Sequence, residues 1–99
     1  MLEPSCISGF DWDEGNARKN DQHGVSAAEA EQVFLNQPLV IQQDAKHSGT
    51  ELRWHALGVS NSGRRLHITF TLRFGNTKIR VISARDMHRK ERQLYEQKT

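Results

Sequence analysis

Cationic and imidazole side chains that could act on a phosphate are concentrated in the second half of the sequence. The set comprises Arg53, His55, Arg64, Arg65, His67, Arg73, Arg80 and Arg85. A guanidinium group can bind two phosphate oxygens at once, and an imidazole exchanges protons near neutral pH. Cleavage of RNA needs a base for the 2′-OH, cations for the phosphorane and an acid for the leaving oxygen. These residue types therefore predict acid–base chemistry on a phosphodiester.

Sequence motifs of other site classes are missing. The five histidines stand singly, without the H-x-x-x-H or C-x-x-C spacing of a metal site. The sequence has no phosphate-loop motif and no dinucleotide-binding glycine pattern, and its one cysteine, Cys6, lacks a base partner. We therefore expect no metal ion, no cofactor and no cysteine nucleophile.

Charge is divided unevenly between the two halves of the chain. Residues 1–50 hold three Lys and Arg against eight Asp and Glu, a net charge of −5. Residues 51–99 hold eleven Lys and Arg against four Asp and Glu, a net charge of +7. A basic half of this size attracts polyanions whatever their sequence, and it attracts an acidic protein equally well. Charge alone does not separate these two kinds of partner.

Length and composition predict one small domain. The 99 residues suffice for a single core, so we assign residues 1–99 to one domain and expect residues 1–6 to be disordered. No apolar run has the length of a membrane span, and the N-terminus lacks the features of a signal peptide. A lone cysteine is typical of a reducing compartment. We therefore expect a cytoplasmic protein with no membrane partner.

A hairpin at residues 64–85 is the element that must position most of the candidate residues. Its first strand alternates an apolar set with a polar set: Leu66, Ile68, Phe70 and Leu72 against His67, Thr69, Thr71 and Arg73. A period of two predicts one buried face and one polar face. Gly75 and Asn76 tolerate the positive φ of a tight turn, and a second strand rich in β-branched residues follows.

Six shorter elements are predicted around this hairpin. In chain order they are a strand at 7–12, a polar helix at 13–22, a helix from about residue 27, strands at 39–42 and 53–59, and a helix at 87–97. Ser26 and Glu29 form a capping box for the second helix. Residues 44–50 are interpreted as a loop, and Asp86 as the cap of the last helix. That helix has so few apolar residues that we expect it to dock loosely, or only against a partner.

Strand alternation decides which candidate residues can act together. Arg53 and His55 share one face of their strand, and Glu51 would lie on the same side, either as a base or as the partner that orients Arg53. Arg80 and Arg85 are five residues apart, so a regular strand would point them to opposite faces. They can converge only if the strand ends or bulges near residues 83–84.

The sequence resembles a known family, the BrnT toxins. The matching motifs are Phe10-Asp11-Trp12-Asp13, Asn20, His23-Gly24-Val25, Glu29-Ala30, Val33-Phe34, Asp44-x-x-His47-Ser48, Glu51-x-Arg53 and Ile79-Arg80-x-Ile82-Ser83-Ala84-Arg85, followed by Glu91 and Tyr95. Each motif is weak alone, but the ordered set extends over residues 10–96.

The resemblance implies a fold and a function. The fold would be a RelE-like α+β domain, with a curved antiparallel sheet, two N-terminal helices and a C-terminal helix. The function would be that of a ribonuclease toxin of a type II toxin–antitoxin pair, which inhibits translation and growth. The partners would be RNA and a BrnA-like antitoxin, whose complex with the toxin binds operator DNA and represses the operon.

The resemblance also implies site residues. The catalytic positions that match are His23, Glu51, Arg53, Arg80 and Arg85. For RNA binding we expect Lys19, His55, Arg64, Arg65, His67 and Arg73, of which Arg64 matches a common basic position of the family. One departure, Gln22 in place of a basic residue, removes a charge near the first helix.

Alternative interpretations remain open at this stage. His23 stands at a predicted helix end, where an imidazole can instead interact with the last carbonyls. The protein could be a non-catalytic module whose arginines only bind nucleic acid or a protein. It could also be a structural protein whose acidic half pairs with the basic half of a second copy.

Overall fold

The structure is a computed structural model that describes residues 6–15, 24–46 and 51–99. These residues form an α+β arrangement of five strands and two helices. In chain order they are β1 (Gly9–Phe10), α1 (Ala27–Leu35), β2 (Val40–Asp44), β3 (Arg53–Val59), β4 (Arg65–Arg73), β5 (Lys78–Asp86) and α2 (Arg89–Lys98). The predicted central hairpin, now β4 and β5, is confirmed, and so is the strand at 53–59.

The five strands form one sheet in the order β1-β5-β4-β3-β2. Four of them pair antiparallel, but β1 runs parallel to β5, with Phe10 beside Ile79. The backbone N–H of Ser8 donates to the Thr77 carbonyl at 2.7 Å, and that of Asp11 to the Ile79 carbonyl at 2.8 Å. The prediction of a wholly antiparallel sheet is therefore wrong at this edge, since so short a strand carries no sign of its partner's direction.

In the part of the chain that the structure describes, α1 is the one complete helix before β2–β5, and Glu14 and Gly15 ahead of it are also helical. The predicted helix at 13–22 falls mostly on residues outside the described ranges, so the predicted pair of N-terminal helices is not matched. Helix α1 begins as predicted, because the Ser26 side chain accepts from the backbone N–H of Glu29 at 3.1 Å. Within the described residues, no helix is long and apolar enough to span a membrane.

Helix α1 covers the apolar face of the sheet. Leu66, Ile68 and Phe70 of β4 are fully buried there, as the alternation predicts. The Phe34 ring of α1 packs edge-on against Phe70, with ring centroids 5.1 Å apart. Aromatic side chains bury large apolar areas, so this contact anchors the helix over the centre of the sheet.

Helix α2 packs on the other face of the sheet, at one end. Met87 and Tyr95 are buried there against Leu57 of β3, and the Tyr95 hydroxyl donates to the Pro38 carbonyl at 2.6 Å. The helix is therefore docked rather than loose, in contrast to the prediction from its few apolar residues. Its first residue is Arg89, while the predicted cap, Asp86, is instead the last residue of β5.

An irregularity in β5 brings its two arginines to one face. Thr69 pairs with Ser83 while Phe70 pairs with Val81, which leaves Ile82 as an extra residue. Arg80 pairs with Thr71, and Arg85 pairs with His67. Because directly paired residues point to the same side of a sheet, Arg80 and Arg85 both point away from α1. The extra residue Ile82 is thus the β-bulge that Arg80 and Arg85 need in order to converge.

Gly58 sets the distance between α1 and β3, and this gives a test of the packing. A Cβ atom at Gly58 would lie 2.8 Å from Val33 Cγ1 and 3.3 Å from the Val33 carbonyl oxygen. We expect Gly58→Ala to lower the free energy of unfolding by about 1–3 kcal/mol, measured by urea denaturation. Gly9→Ala is the matched control, since its Cβ would approach only the flexible end of Lys78. Equal stability of the two variants would contradict this packing.

Candidate functional site

The sheet face opposite α1 carries the cationic and polar side chains, and we call it the basic face. Its members follow from the pairing register: Arg53, His55, Arg65, His67, Thr69, Thr71, Arg73, Lys78, Arg80 and Arg85. Helix α2 covers the end of this face near His67, and the hairpin turn at residues 74–77 lies at the other end. The structure thus brings together most residues that the sequence predicted.

His55 is held by two polar neighbours at the middle of the basic face. Its Nε2 lies 2.9 Å from Asp44 Oδ2, and its Nδ1 lies 3.1 Å from the Thr69 hydroxyl. An ionised carboxylate only accepts hydrogen bonds, so Nε2 donates to Asp44 and a neutral ring accepts from Thr69 at Nδ1. Asp44 is 8% exposed. This arrangement fixes both the tautomer and the plane of the imidazole.

His67 lies beside His55 but is buried beneath α2. It is 8% exposed, and the ring centroids of the two histidines are 4.8 Å apart. Burial lowers the pKa of His67 to about 4, although the nearby charge of Glu91 acts in the opposite direction. Its Nδ1 is buried without a hydrogen-bond partner among the described residues. At neutral pH this imidazole is therefore uncharged, so it cannot act as an imidazolium acid.

Arg85 is clamped by a carboxylate from α2. Its two terminal nitrogens donate to the two Glu91 oxygens at 2.8 and 2.9 Å. Burial disfavours the ionised form of Glu91, but hydrogen bonds from Arg85 and the His88 backbone outweigh it and lower the Glu91 pKa to about 2. The carboxylate is therefore an anion at all physiological pH values. It occupies the guanidinium edge that a phosphate would use.

A cleft of about 210 Å³ lies where these groups meet the start of α2. It is lined by Val40, Gln42, His55, Leu57, His67, Glu91 and Leu94. A larger cleft of about 370 Å³ lies on the α1 side, between Phe10, Phe34 and Ile41, and no titratable side chain lines it in the described structure. Of these two clefts, only the smaller one is lined by titratable side chains. Across the described ranges, no group of three or more His, Cys, Asp and Glu could hold a metal ion.

Two more cations of the basic face, Arg80 and Arg73, also hold carboxylates. Arg80 donates to Asp11 at 2.8 Å and to Asp13, and these hydrogen bonds raise its pKa above the usual value. Arg73 Nε lies 3.1 Å from Glu51 Oε1. Glu51, predicted as a base or as the orienting partner of Arg53, thus has Arg73 as its observed partner. These ion pairs orient the guanidinium groups before any substrate arrives.

Two further cations of this set lie near the ends of the sheet. Arg65 donates to Glu96 near the C-terminal end of α2. Arg53 faces Asp44 in the register of β2 and β3. Arg53 and His55 therefore share one face, as their spacing predicts.

Arg64 does not lie on the basic face, where its predicted role in RNA binding would place it. Its guanidinium donates to Asp86 at 2.7 and 3.0 Å, to Glu29 at 2.9 Å and to the Gly24 carbonyl at 2.6 Å. Glu29 belongs to α1, and Asp86 pairs with buried Leu66, so this network lies on the α1 side. Arg64 ties α1 to the end of β5, and the RNA-binding role predicted for it is not supported by this position.

Some candidate residues lie outside the described ranges, and others were overlooked. His23 and Lys19 fall among residues 16–23, outside the described structure, so their roles stay predictions. Asp44 and Glu91 entered the sequence analysis only within family motifs, although they contact His55 and Arg85. A loop prediction for Asp44 hid its place opposite Arg53, which only strand pairing reveals.

Burial of His67 predicts a dependence of stability on pH. The pKa of about 4 in the fold is below the ordinary value near 6.5, so the unfolded chain takes up the proton first as the pH falls. The stabilisation is complete above pH 6.5 and is lost towards pH 4. Between pH 7 and pH 5 we expect this residue to lower the free energy of unfolding by about 2 kcal/mol. Urea denaturation of wild type and His67→Gln at both pH values measures it. Equal losses in the two proteins would contradict the assignment.

Comparison with known proteins identifies the family of this chain. A search of the curated proteins gave no match. The family model of the ribonuclease toxin BrnT, of type II toxin–antitoxin systems, matches residues 12–91. The match includes β2 to β5, both histidines of the cleft, and Glu91, while residues 92–99 lie beyond it. The chain belongs to the BrnT family of ribonuclease toxins of type II toxin–antitoxin systems.

Proposed function

We propose that this protein is a metal-independent endoribonuclease whose active site is the cleft at the middle of the basic face. A single observation carries the proposal: His55 is held between Asp44 and Thr69, on a sheet face that also presents Arg53, Arg80 and Arg85. An oriented imidazole beside guanidinium groups is suited to transfer of a phosphodiester between oxygens. Cleavage of cellular RNA in the cytoplasm would inhibit translation and growth.

In the proposed reaction His55 is the general base. It takes the proton of the 2′-OH at Nδ1, after the Thr69 hydroxyl has turned away, while Asp44 stabilises the imidazolium that forms. The 2′-oxygen bonds to phosphorus and the bond to the 5′-oxygen breaks, which leaves a cyclic phosphate and a free 5′-hydroxyl. His67 stays neutral, so it is a packing neighbour of His55 rather than the acid.

The leaving oxygen needs a proton from another group, and we assign it to His23. This assignment rests on the family resemblance, which implies that His23 is a catalytic position.

The arginines would stabilise the crowded phosphorane by exchanging partners. Arg85 is held flat by Glu91, and Arg80 by Asp11 and Asp13, so each guanidinium is oriented before RNA binds. A phosphate that displaces a carboxylate gains a charge-assisted contact without the cost of ordering the arginine. In this proposal Arg65, Arg73 and Lys19 bind the flanking RNA backbone, and Glu51 keeps Arg73 in position.

A BrnA-like antitoxin completes the proposed system. It would cover the basic face, because an exposed cationic surface attracts acidic protein as well as RNA. The complex would bind operator DNA through the antitoxin and repress its own operon. Co-expression with the product of a short neighbouring gene should therefore restore the growth of cells that produce this toxin.

Cleavage in the presence of a chelator tests the proposal directly. Purified protein should cut single-stranded RNA at an unchanged rate in excess EDTA, because the proposed groups are side chains only. Products analysed by gel electrophoresis should carry a cyclic phosphate and a 5′-hydroxyl. Loss of cleavage on chelation, restored by added Mg²⁺ or Zn²⁺, would contradict metal independence. Binding of RNA without any cleavage would instead favour a non-catalytic module.

Replacement of His55 tests the assignment of the base. His55→Gln should lower the cleavage rate by roughly a hundredfold or more and remove one limb of the pH–rate profile, at an unchanged fold by circular dichroism. His23→Gln should remove the opposite limb. His88→Gln is the matched control, since His88 is exposed outside the cleft, and it should retain full activity. Full activity of folded His55→Gln would sink the assignment.

A further inference from the structure

The turn between β4 and β5 holds a large aromatic side chain in an unfavourable backbone conformation. Phe74 has φ = 55°, and Gly75 and Asn76 follow at 66° each. Glycine and asparagine adopt this left-handed region readily, whereas an aromatic residue does so at a cost. The sequence thus places a residue at position 74 that the turn itself does not favour.

The Phe74 ring is largely outside the packed core. The residue is 70% exposed, and it belongs to neither of the two buried clusters. The turn is closed by backbone and hydroxyl contacts instead: Thr77 N–H donates to the Arg73 carbonyl at 3.1 Å, and its hydroxyl to the Phe74 carbonyl at 2.6 Å. Strain without a folding benefit indicates a binding role.

The surroundings of Phe74 fit a nucleic acid. The two residues that flank the turn, Arg73 and Lys78, are paired across the strands on the basic face. Along β4, Arg73 is four residues from Thr69, the partner of His55, a distance of about 13 Å in an extended strand. A single strand that is bound at His55 and runs along β4 would therefore reach these cations and the turn.

We propose that the Phe74 ring is a stacking platform for a nucleobase of single-stranded RNA, beyond the cleavage site. The inference rests on the proposed function, and it adds a base-binding subsite at the hairpin turn. Aromatic rings stack on any base, so this contact would strengthen binding without selecting a sequence. The flanking cations would hold the phosphates on either side of the stacked nucleotide.

Affinity for an uncleavable oligonucleotide tests this subsite. A fluorescent 2′-O-methyl RNA, which lacks the attacking hydroxyl, is titrated with wild type, Phe74→Asn, Phe74→Leu and Phe74→Tyr. Phe74→Asn and Phe74→Leu should weaken binding by roughly tenfold to a hundredfold, and Phe74→Tyr should match wild type. Phe74→Asn should also melt at an equal or higher temperature, because asparagine tolerates positive φ. Leu35→Asn is the control, since Leu35 is an equally exposed apolar residue on the α1 side.

Each contrary result has a separate meaning. Unchanged RNA affinity in Phe74→Asn, or full affinity in Phe74→Leu, overturns the stacking subsite while leaving cleavage at His55 intact. A lower melting temperature for Phe74→Asn shows that the ring is structural and overturns it too. Loss of antitoxin binding alone would make Phe74 a protein contact, contrary to the proposal. If wild type neither binds nor cleaves RNA, the proposed function itself fails.

Discussion

The extra residue in β5 is the constraint on which both faces of the sheet depend. Ile79 and Val81 before it, and Ala84 after it, all pack under α1, because the insertion of Ile82 resets the alternation. The same reset places Arg80 and Arg85 together on the opposite face. In a regular strand one of the two arginines would have to enter the core, where an unpaired guanidinium is very costly. One local irregularity therefore decides which side chains of β5 enter the core and which ones point to the basic face.

Charge pairing within the chain explains the division of the sequence into an acidic and a basic half. Asp11 and Asp13 hold Arg80, and Glu29 holds Arg64, so acidic residues of the first half meet arginines of the second. These contacts are made inside one molecule, and others, such as that of Arg85 with Glu91, lie within the second half. In the proposed function RNA competes with these carboxylates for the guanidinium groups, so its affinity depends on exchange of partners as well as on net charge.

Periodicity and capping signals were sufficient to predict α1, β3 and the β4–β5 hairpin, because these features depend on neighbouring residues. The direction of β1, the burial of His67 and the side occupied by Arg64 depend on contacts between distant segments, which no local pattern encodes. His67 shows the difference most clearly. The alternation of β4 predicts that His67 lies on a polar face, and that face is polar. Helix α2 covers the face around His67, however, and this burial lowers the pKa of the ring.

The pairing of β1 with β5 has a consequence for the order in which the protein can fold. Asp11 lies 69 residues before its partner Arg80, and Ser8 lies 69 residues before Thr77. Contacts at such separation form more slowly than hairpins, because a long loop must close first. A chain still leaving the ribosome can form α1 and the β2–β3 pair, but not this edge. The guanidinium of Arg80 is thus fixed only after β5 has been synthesised.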